Sequence, residues 1–295
     1  MGETTKIEWT DHTFNPWIGC TKVSEGCRNC YAARDNERRK WNGGVWGPGT
    51  LRKVTSQANW HEPLKWAKAA RASGVREKVF CASLADVFDL EAPRQARKDL
   101  WSLIGDTFDA LDWQLVTKRP ENILPALDDD GMGYGFFEVC KCWLITTAEN
   151  QPAADTRIPL LLDVPAAIYG VSVEPLIGPL RLDRIGEEPE GYIDALQGYV
   201  TCDGRGTKPY EKLDWVIVGG ESGPGARRMN SEWVEALQDQ CAAAGVAFFF
   251  KQWGDWYRQH YGVNCAWHPD GWDPAARKGG SLLRGVEYKQ FPAVR

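Results

Sequence analysis

The sequence predicts an α/β fold of parallel strands and alternating helices, a partial or complete (β/α) barrel, and three observations lead to it. Short apolar runs recur after residue 78, most of them separated by helical stretches, as in strands joined by crossover helices. The runs are continuously apolar, as strands covered on both faces are. Polar residues gather at the carboxyl end of run after run, where barrel-type α/β folds build their sites. A doubly wound open sheet would show the same pattern, with its site at a switch point. An additional strand near Phe14 to Ile18 favours the barrel.

In chain order, Tyr31 to Lys40 reads as a short charged helix, and residues 42–60 as a glycine-rich surface excursion. Pro63 to Ser73 is helical, with proline suited to a first turn and Gly74 to the stop. Val79 to Leu84 is a strand that ends in Ser83 and Asp86. Trp101, Ile104, Phe108 and Leu111 fall at helical spacing within Pro93 to Leu111. Trp113 to Val116 runs into Thr117, Lys118, Arg119 and Pro120, and Pro120 opens a short helix. Cys142 to Ile145 runs into Thr146, Thr147, Glu149 and Asn150. Ala166 to Val171 runs into Ser172 and Glu174, and Trp215 to Val218 into Gly219, Gly220 and Glu221. Ser231 caps a helix that reaches Ala244 and stops at Gly245. Val246 to Phe250 is the last strand, ending in Lys251, Gln252, Trp253 and Gly254. One domain spanning 1–295 accommodates these elements, with a polar insertion at about 183–214 and an irregular C-terminal extension at about 255–295 that wraps the barrel. A loop as long as that insertion is expected to be functional or mobile.

The totals narrow the class. Apolar residues make up 43% and charged residues 25%, which is globular composition. No apolar run approaches the roughly 20 residues of a membrane span, so no membrane partner is expected. Met1 to Thr10 lacks a secretory core. Nine cysteines cannot all pair, and with no leader the expected setting is the reducing cytoplasm. The net charge of −5 argues mildly against non-specific nucleic-acid binding, but leaves room for a local basic groove.

The chemistry is concentrated in the stretch Gly19 to Tyr31, where Cys20, Cys27 and Cys30 are spaced C-x6-C-x2-C with no fourth ligand beside them. A structural zinc site closes with four protein ligands, whereas a reactive site keeps one position open. Three thiolates also suit an iron–sulfur cluster with one iron left free for a small molecule such as S-adenosylmethionine. Spacing alone leaves cluster and zinc open. Cys81 and Cys241 read as packed thiols. Cys140, Cys142, Cys202 and Cys265 read as unrelated thiols or as a second metal site. The four histidines show no ligand spacing, and there is no nucleophile elbow, Walker loop or dinucleotide fingerprint.

The strand ends carry the other candidates: Ser83, Asp86, Thr117, Lys118, Thr147, Glu149, Ser172, Glu174, Gly219, Gly220 and Glu221. Gly219 to Gly225 resembles a nucleotide-cradling turn, and a plain tight turn explains it equally. Glu149, Glu174 and Glu221 converging on one mouth would need cations, for which Lys118, Arg119 and Lys251 are the expected partners. A structural salt-bridge ring would use the same residues.

Asn15-Pro16-Trp17-Ile18-Gly19-Cys20, Ser24-x-Gly26-Cys27-x-x-Cys30-Tyr31-Ala32, Leu115 to Pro120, Val171 to Leu176, Trp215 to Gly223 and Phe250 to Gly254 together resemble a phage-associated, uncharacterised protein family related to radical S-adenosylmethionine enzymes. The likeness covers about Thr5 to Gly254, with an echo at Asp270 to Pro292. It implies a radical-enzyme barrel with a 4Fe–4S cluster on Cys20, Cys27 and Cys30, whose free iron binds S-adenosylmethionine. An electron donor would supply the cluster, and cleavage of the sulfonium would give a 5′-deoxyadenosyl radical. By the same analogy Ser83 and Asp86 face the methionine end, while Ser172, Glu174 and the Gly219 to Glu221 turn face the ribose and adenine. The commoner superfamily spacing is C-x3-C-x2-C with an aromatic before the last cysteine. Here Asn29 holds that place and Tyr31 follows. The expected substrate is a nucleic-acid base or nucleotide, on the strength of the phage association, the fifteen tryptophans and Lys118, Arg119, Arg227 and Arg228. A peptide or small-metabolite substrate is the first alternative, and a zinc-stabilised, non-catalytic binding protein the second.

Overall fold

The computed structural model describes residues 5–186, 191–201, 206–262 and 269–293. Its frame is a seven-stranded parallel sheet curled into a half-barrel. The strands are β1 (His12–Phe14), β2 (Glu77–Cys81), β3 (Leu111–Thr117), β4 (Trp143–Thr147), β5 (Ile168–Val173), β6 (Trp215–Gly219) and β7 (Ala247–Gln252). They lie in strict chain order across the sheet. A doubly wound sheet must reverse its strand order at a switch point; none occurs here, so the barrel-type reading is the correct one. The strand expected at Phe14 to Ile18 divides in two. Residues 12–14 join the sheet beside β2, and Trp17–Ile18 pair antiparallel with Lys53–Val54.

The chain divides into two compact units, and the division falls between Ile145 and Thr146, inside β4. The first unit takes the chain up to Val23, Cys30–Ile145 and Val164–Ala167. Its longer helices are α1 (Tyr31–Arg39), α2 (Gln57–Ser73), α3 (Arg94–Thr107) and α4 (Ile123–Asp130). α2 starts six residues ahead of Pro63 because the Ser56 side chain accepts from the Asn59 N–H at the N-terminus. α3 ends at Thr107, whose hydroxyl donates to the Leu103 carbonyl and accepts from the Trp113 indole. Leu111, which the spacing assigns to the helix, therefore opens β3. Asp130, at the end of α4, is fully buried and receives Arg97 and the Trp101 indole at 2.9 Å, fixing α3.

The second unit takes Ser24–Asn29, Thr146–Asp163 and the chain from Ile168 onward. It contains β5 to β7, α5 (Gln151–Leu162) and α6 (Ser231–Ala244). Asn150, read above as a polar strand end, is the N-cap of α5, accepting from the Ala153 N–H at 3.1 Å. The described part of the 183–214 insertion is an antiparallel sheet of Tyr192–Asp194, Tyr199–Thr201 and Thr207–Pro209. The tail runs along the outer edge of β7: Phe250 N–H donates to Tyr288, Gln290 N–H to Phe248, and the Trp215 indole to Gln290. An open edge strand is a template for aggregation, and the tail covers it.

Two glycines fix how β6 meets β7. A Cβ on Gly220 would stand 2.0 Å from the Trp253 carbonyl oxygen, and one on Gly254 would stand 2.5 Å from that of Glu221. The two backbones touch where side chains are missing. Gly220→Ala is expected to cost about 1–3 kcal/mol, the usual cost of overpacking against a backbone that cannot yield. Gly105, inside α3, has open space around it, so Gly105→Ala is expected to stabilise by roughly 0.5–1 kcal/mol. Denaturant midpoints of the two variants should move in opposite directions.

Candidate functional site

In the first unit, Cys20 and its neighbours sit in a cage of charged groups. Asp86 accepts from the Thr117 hydroxyl at 2.7 Å, from the Lys118 N–H at 3.0 Å and from the Arg119 guanidinium at 3.1 Å. Arg119 in turn points Nη1 at the Cys20 sulfur, 3.4 Å away, and Nη2 at the Thr21 carbonyl. Burial pushes the Cys20 thiol up to about 12, helped by Asp86 and opposed by Arg119. Arg119 is thus the positive charge placed to favour the thiolate that metal binding requires. From the other side Arg52, fully buried, donates to the Thr21 hydroxyl at 2.7 Å and pairs with Asp89 at 2.9 Å. The Gly47 N–H donates to the Cys20 carbonyl. The glycine-rich excursion is therefore not a mere surface loop; it packs against Cys20. Cys30 stands at the N-cap position of α1 without a side-chain cap bond, and the next residue, Tyr31, donates its hydroxyl to the Ser83 carbonyl at 2.7 Å. The Ser83 hydroxyl accepts from Asn15 at 3.0 Å.

In the second unit the turn Glu25–Cys27, which carries Cys27, is held by two strand-end carboxylates. Glu149 accepts from the Gly26 N–H at 3.1 Å and pairs with Arg157 at 2.8 Å. A Cβ on Gly26 would fall 2.8 Å from the Glu149 carboxyl carbon, so the carboxylate occupies the place of that missing side chain. Glu221 accepts from Asn29 at 2.9 Å and from the Arg227 guanidinium at 2.6 Å, and Arg227 also donates to the Glu25 carbonyl at 2.9 Å. Glu174 is paired with Lys251 at 2.8 Å and accepts from Gln252 at 3.1 Å. Thr147 offers its carbonyl to Arg157, and Ser172 its carbonyl to the Ala148 N–H; both residues are buried. Gly219 accepts from the Leu176 N–H through its carbonyl, and the Gly220 N–H donates to Gln252.

Asp86, Thr117 and Lys118 are thus brought together, as are Glu174 with Lys251. The expected pairing of the carboxylates holds for Lys251 alone. Arg119 serves Asp86, while Glu149 and Glu221 are paired with Arg157 and Arg227. Arg227 is engaged internally, while Arg228 is exposed and lies over the Trp256 ring. Arg52, Asp89, Arg157 and Asn29 escaped the sequence reading. Arg52 lies in a stretch that reads as solvated loop, and Arg157 is on a helix the sequence does not announce. Cys202 and Cys265 lie outside the described residues.

A family model described as "Protein of unknown function (DUF5131)" matches residues 4–292. The chain belongs to this family. Nothing among curated proteins or solved structures matches it. In this DUF5131 chain the described cysteines are all free of disulfides, and they fall into two classes. Cys81, Cys140, Cys142 and Cys241 are buried, and burial raises their thiols; Cys20, Cys27 and Cys30 alone are partly exposed. Among the described residues no three His, Cys, Asp or Glu side chains are grouped to hold a single metal ion.

Burial opposes ionisation of Glu149, Glu174 and Glu221, but their hydrogen bonds and paired cations win and hold all three below the usual 4.5. With the folded values depressed, the unfolded chain binds more protons in acid. Their stabilisation is complete above about pH 4.5 and is lost as pH falls through the depressed values. Glu221→Gln should therefore lower stability at neutral pH and flatten its decline toward acid, as read from urea midpoints between neutral pH and about pH 3. An unchanged acid slope would mean that the Arg227 pair is not a source of it.

Proposed function

We propose that this chain is an iron–sulfur enzyme of the radical S-adenosylmethionine type, which holds a 4Fe–4S cluster on Cys20, Cys27 and Cys30. The observation that carries this reading is the division among the described thiols: Cys20, Cys27 and Cys30, spaced C-x6-C-x2-C, are partly open, while Cys81, Cys140, Cys142 and Cys241 are packed away. The donor set fits such a group, since thiolate is the ligand its irons take, and three of them leave one iron for a small molecule. When bound, the cluster would supply the one electron that starts cleavage of the adenosylmethionine sulfonium, after receiving it from an electron donor.

The chain's own residues do the positioning. Arg119, aligned by Asp86, lies against the Cys20 sulfur and would offset the charge of its thiolate. Gly26 and Asn29, gripped by Glu149 and Glu221, fix the backbone on either side of Cys27. Tyr31, anchored on Ser83, fixes the backbone after Cys30. Ser83, Asp86, Thr117, Lys118, Thr147, Glu149, Ser172, Glu174, Gly219, Gly220 and Glu221 are the proposed adenosylmethionine-binding residues. A nucleic-acid base or nucleotide is the proposed substrate, and a reducing cytoplasm the setting. No helix among the described residues is long and apolar enough to cross a membrane.

Oxygen-free reconstitution with iron and sulfide should give about four irons per chain, with adenosylmethionine cleaved once a reductant is added. Cys27→Ala should lose the iron and Cys241→Ala should keep it. One zinc per chain and no cleavage would replace this reading with that of a zinc-stabilised binding protein. Arg119→Ala, which leaves all three thiols in place, should lower iron retention at neutral pH more than at alkaline pH, because the counter-charge matters most where the thiolate is scarce.

A further inference from the structure

The chain is acidic overall, yet one stretch of it is not. Residues 31–54 carry six cations (Arg34, Arg38, Arg39, Lys40, Arg52 and Lys53) against two carboxylates, Asp35 and Glu37, in a protein of net charge −5. Arg52 is buried and belongs to the Cys20 cage. The other five lie on α1 and the loop that follows it, and Arg38, Arg39, Lys40 and Lys53 are exposed. Arg38 pairs with Asp35 at 3.4 Å, and this ion pair is exposed and weak for that reason.

Aromatic rings are set among these cations. Tyr31 is 46% exposed with its hydroxyl tied to Ser83, so its ring is held in a fixed orientation with one part facing solvent. Trp41 is partly exposed; the Arg39 guanidinium lies 5.2 Å from its ring centre, and the Lys53 ammonium donates to its carbonyl at 2.9 Å. Trp46 is partly exposed a few residues on. Tryptophans on a glycine-rich loop that do not enter the core need another reason to be there. Flat rings among cations form the surface that binds a single strand, with bases stacking on the rings and phosphates meeting the cations. A duplex hides its base faces and would make no use of the rings.

We infer that α1 and the loop through Val54 form a docking surface for single-stranded DNA, with Arg38, Arg39, Lys40 and Lys53 along the phosphates and Trp41, Trp46 and Tyr31 against the bases. DNA is favoured over RNA by what the polar side chains of this face do. Distinguishing RNA requires a reader for its 2′-hydroxyl, and Asn36, Asn42 and Thr50 are all turned inward. Asn36 donates to the Val45 carbonyl at 2.8 Å, Asn42 to that of Leu51, and Thr50 to that of Gly47 at 2.7 Å. The inference deepens the reading of the preceding subsection by naming the polymer that carries the substrate base, and rests on that reading for its purpose.

The test is anisotropy of short fluorescent oligothymidylate titrated with the full chain over a series of salt concentrations. Binding should weaken steadily with salt. Trp41→Ala should weaken it about tenfold, the loss of one stacked base. Arg38→Glu together with Arg39→Glu should weaken it further at low salt and make the salt dependence shallower. Circular dichroism of each variant should match the parent, because every substituted side chain is at least partly exposed. No binding at low salt, or binding that neither variant changes, overturns the surface. Tighter binding of oligouridylate overturns the choice of DNA. Iron content and adenosylmethionine cleavage without nucleic acid should be unchanged in these variants, so a failure here is distinguishable from a failure of the cluster.

Discussion

A carboxylate at the end of a buried parallel strand loses its water and must be given a cation or donors in exchange. This chain meets that constraint with four acid–base pairs, Asp86 with Arg119, Glu149 with Arg157, Glu174 with Lys251 and Glu221 with Arg227. Three of them do more than neutralise a charge. Asp86 aims Arg119 at Cys20, Glu149 accepts from the Gly26 N–H, and Glu221 with Arg227 ties down Asn29 and Glu25. The turn carrying Cys27 has no buried apolar residue of its own. Hydrophobic burial therefore cannot fix it, and these polar bonds do. They also explain why Ser24–Asn29 group with the second unit while the flanking residues group with the first.

Buried pairs of this kind trade net stability for position, since their desolvation consumes much of what attraction returns. The arrangement is economical only where position matters. At the turn 25–27 the glycine matters beside the acids: a Cβ on Gly26 would stand 2.8 Å from the Glu149 carboxyl carbon, so the carboxylate would have to shift. Gly220 shows the opposite use of the same property. Its empty face, which from sequence could have cradled a ligand, admits the Trp253–Gly254 backbone instead. Both are close approaches, one of a side chain to a loop and the other of one strand end to the next.

The sheet was legible in the sequence because its strands are buried on both faces, so each appears as an unbroken apolar run, such as Val79 to Cys81 or Val216 to Val218. Element ends were less so. α2 begins at a serine cap that carries no apolar periodicity, and α5 contains Pro152 and Pro159, which read as interruptions. Of the carboxylate partners, Lys251 was legible because it ends the last strand, in line with the glutamates. Arg157 was not, since its helix went unseen, and neither was Arg227, which reaches Glu221 from within the same turn. Arg52 was the hardest to anticipate. An arginine among glycines and a proline is normally solvated, and only the fold shows Asp89 and the carbonyls of Gly47 and Thr50 closing around it.

These pairings also bear on what the chain can attract. Left bare, four acids at the strand ends would repel an anionic ligand such as a nucleotide or the carboxylate of an amino acid. Each is instead matched by a cation at 2.6–3.1 Å, so each strand end presents a near-neutral pair with oriented donors around it. The field at longer range is then set by the charges that are not matched in this way, and on α1 and its loop those are cations with few acids among them. An acidic protein that pairs its buried carboxylates internally can remain soluble through its net charge and still present a basic face. Local pairing, rather than total charge, decides whether a polyanion can approach.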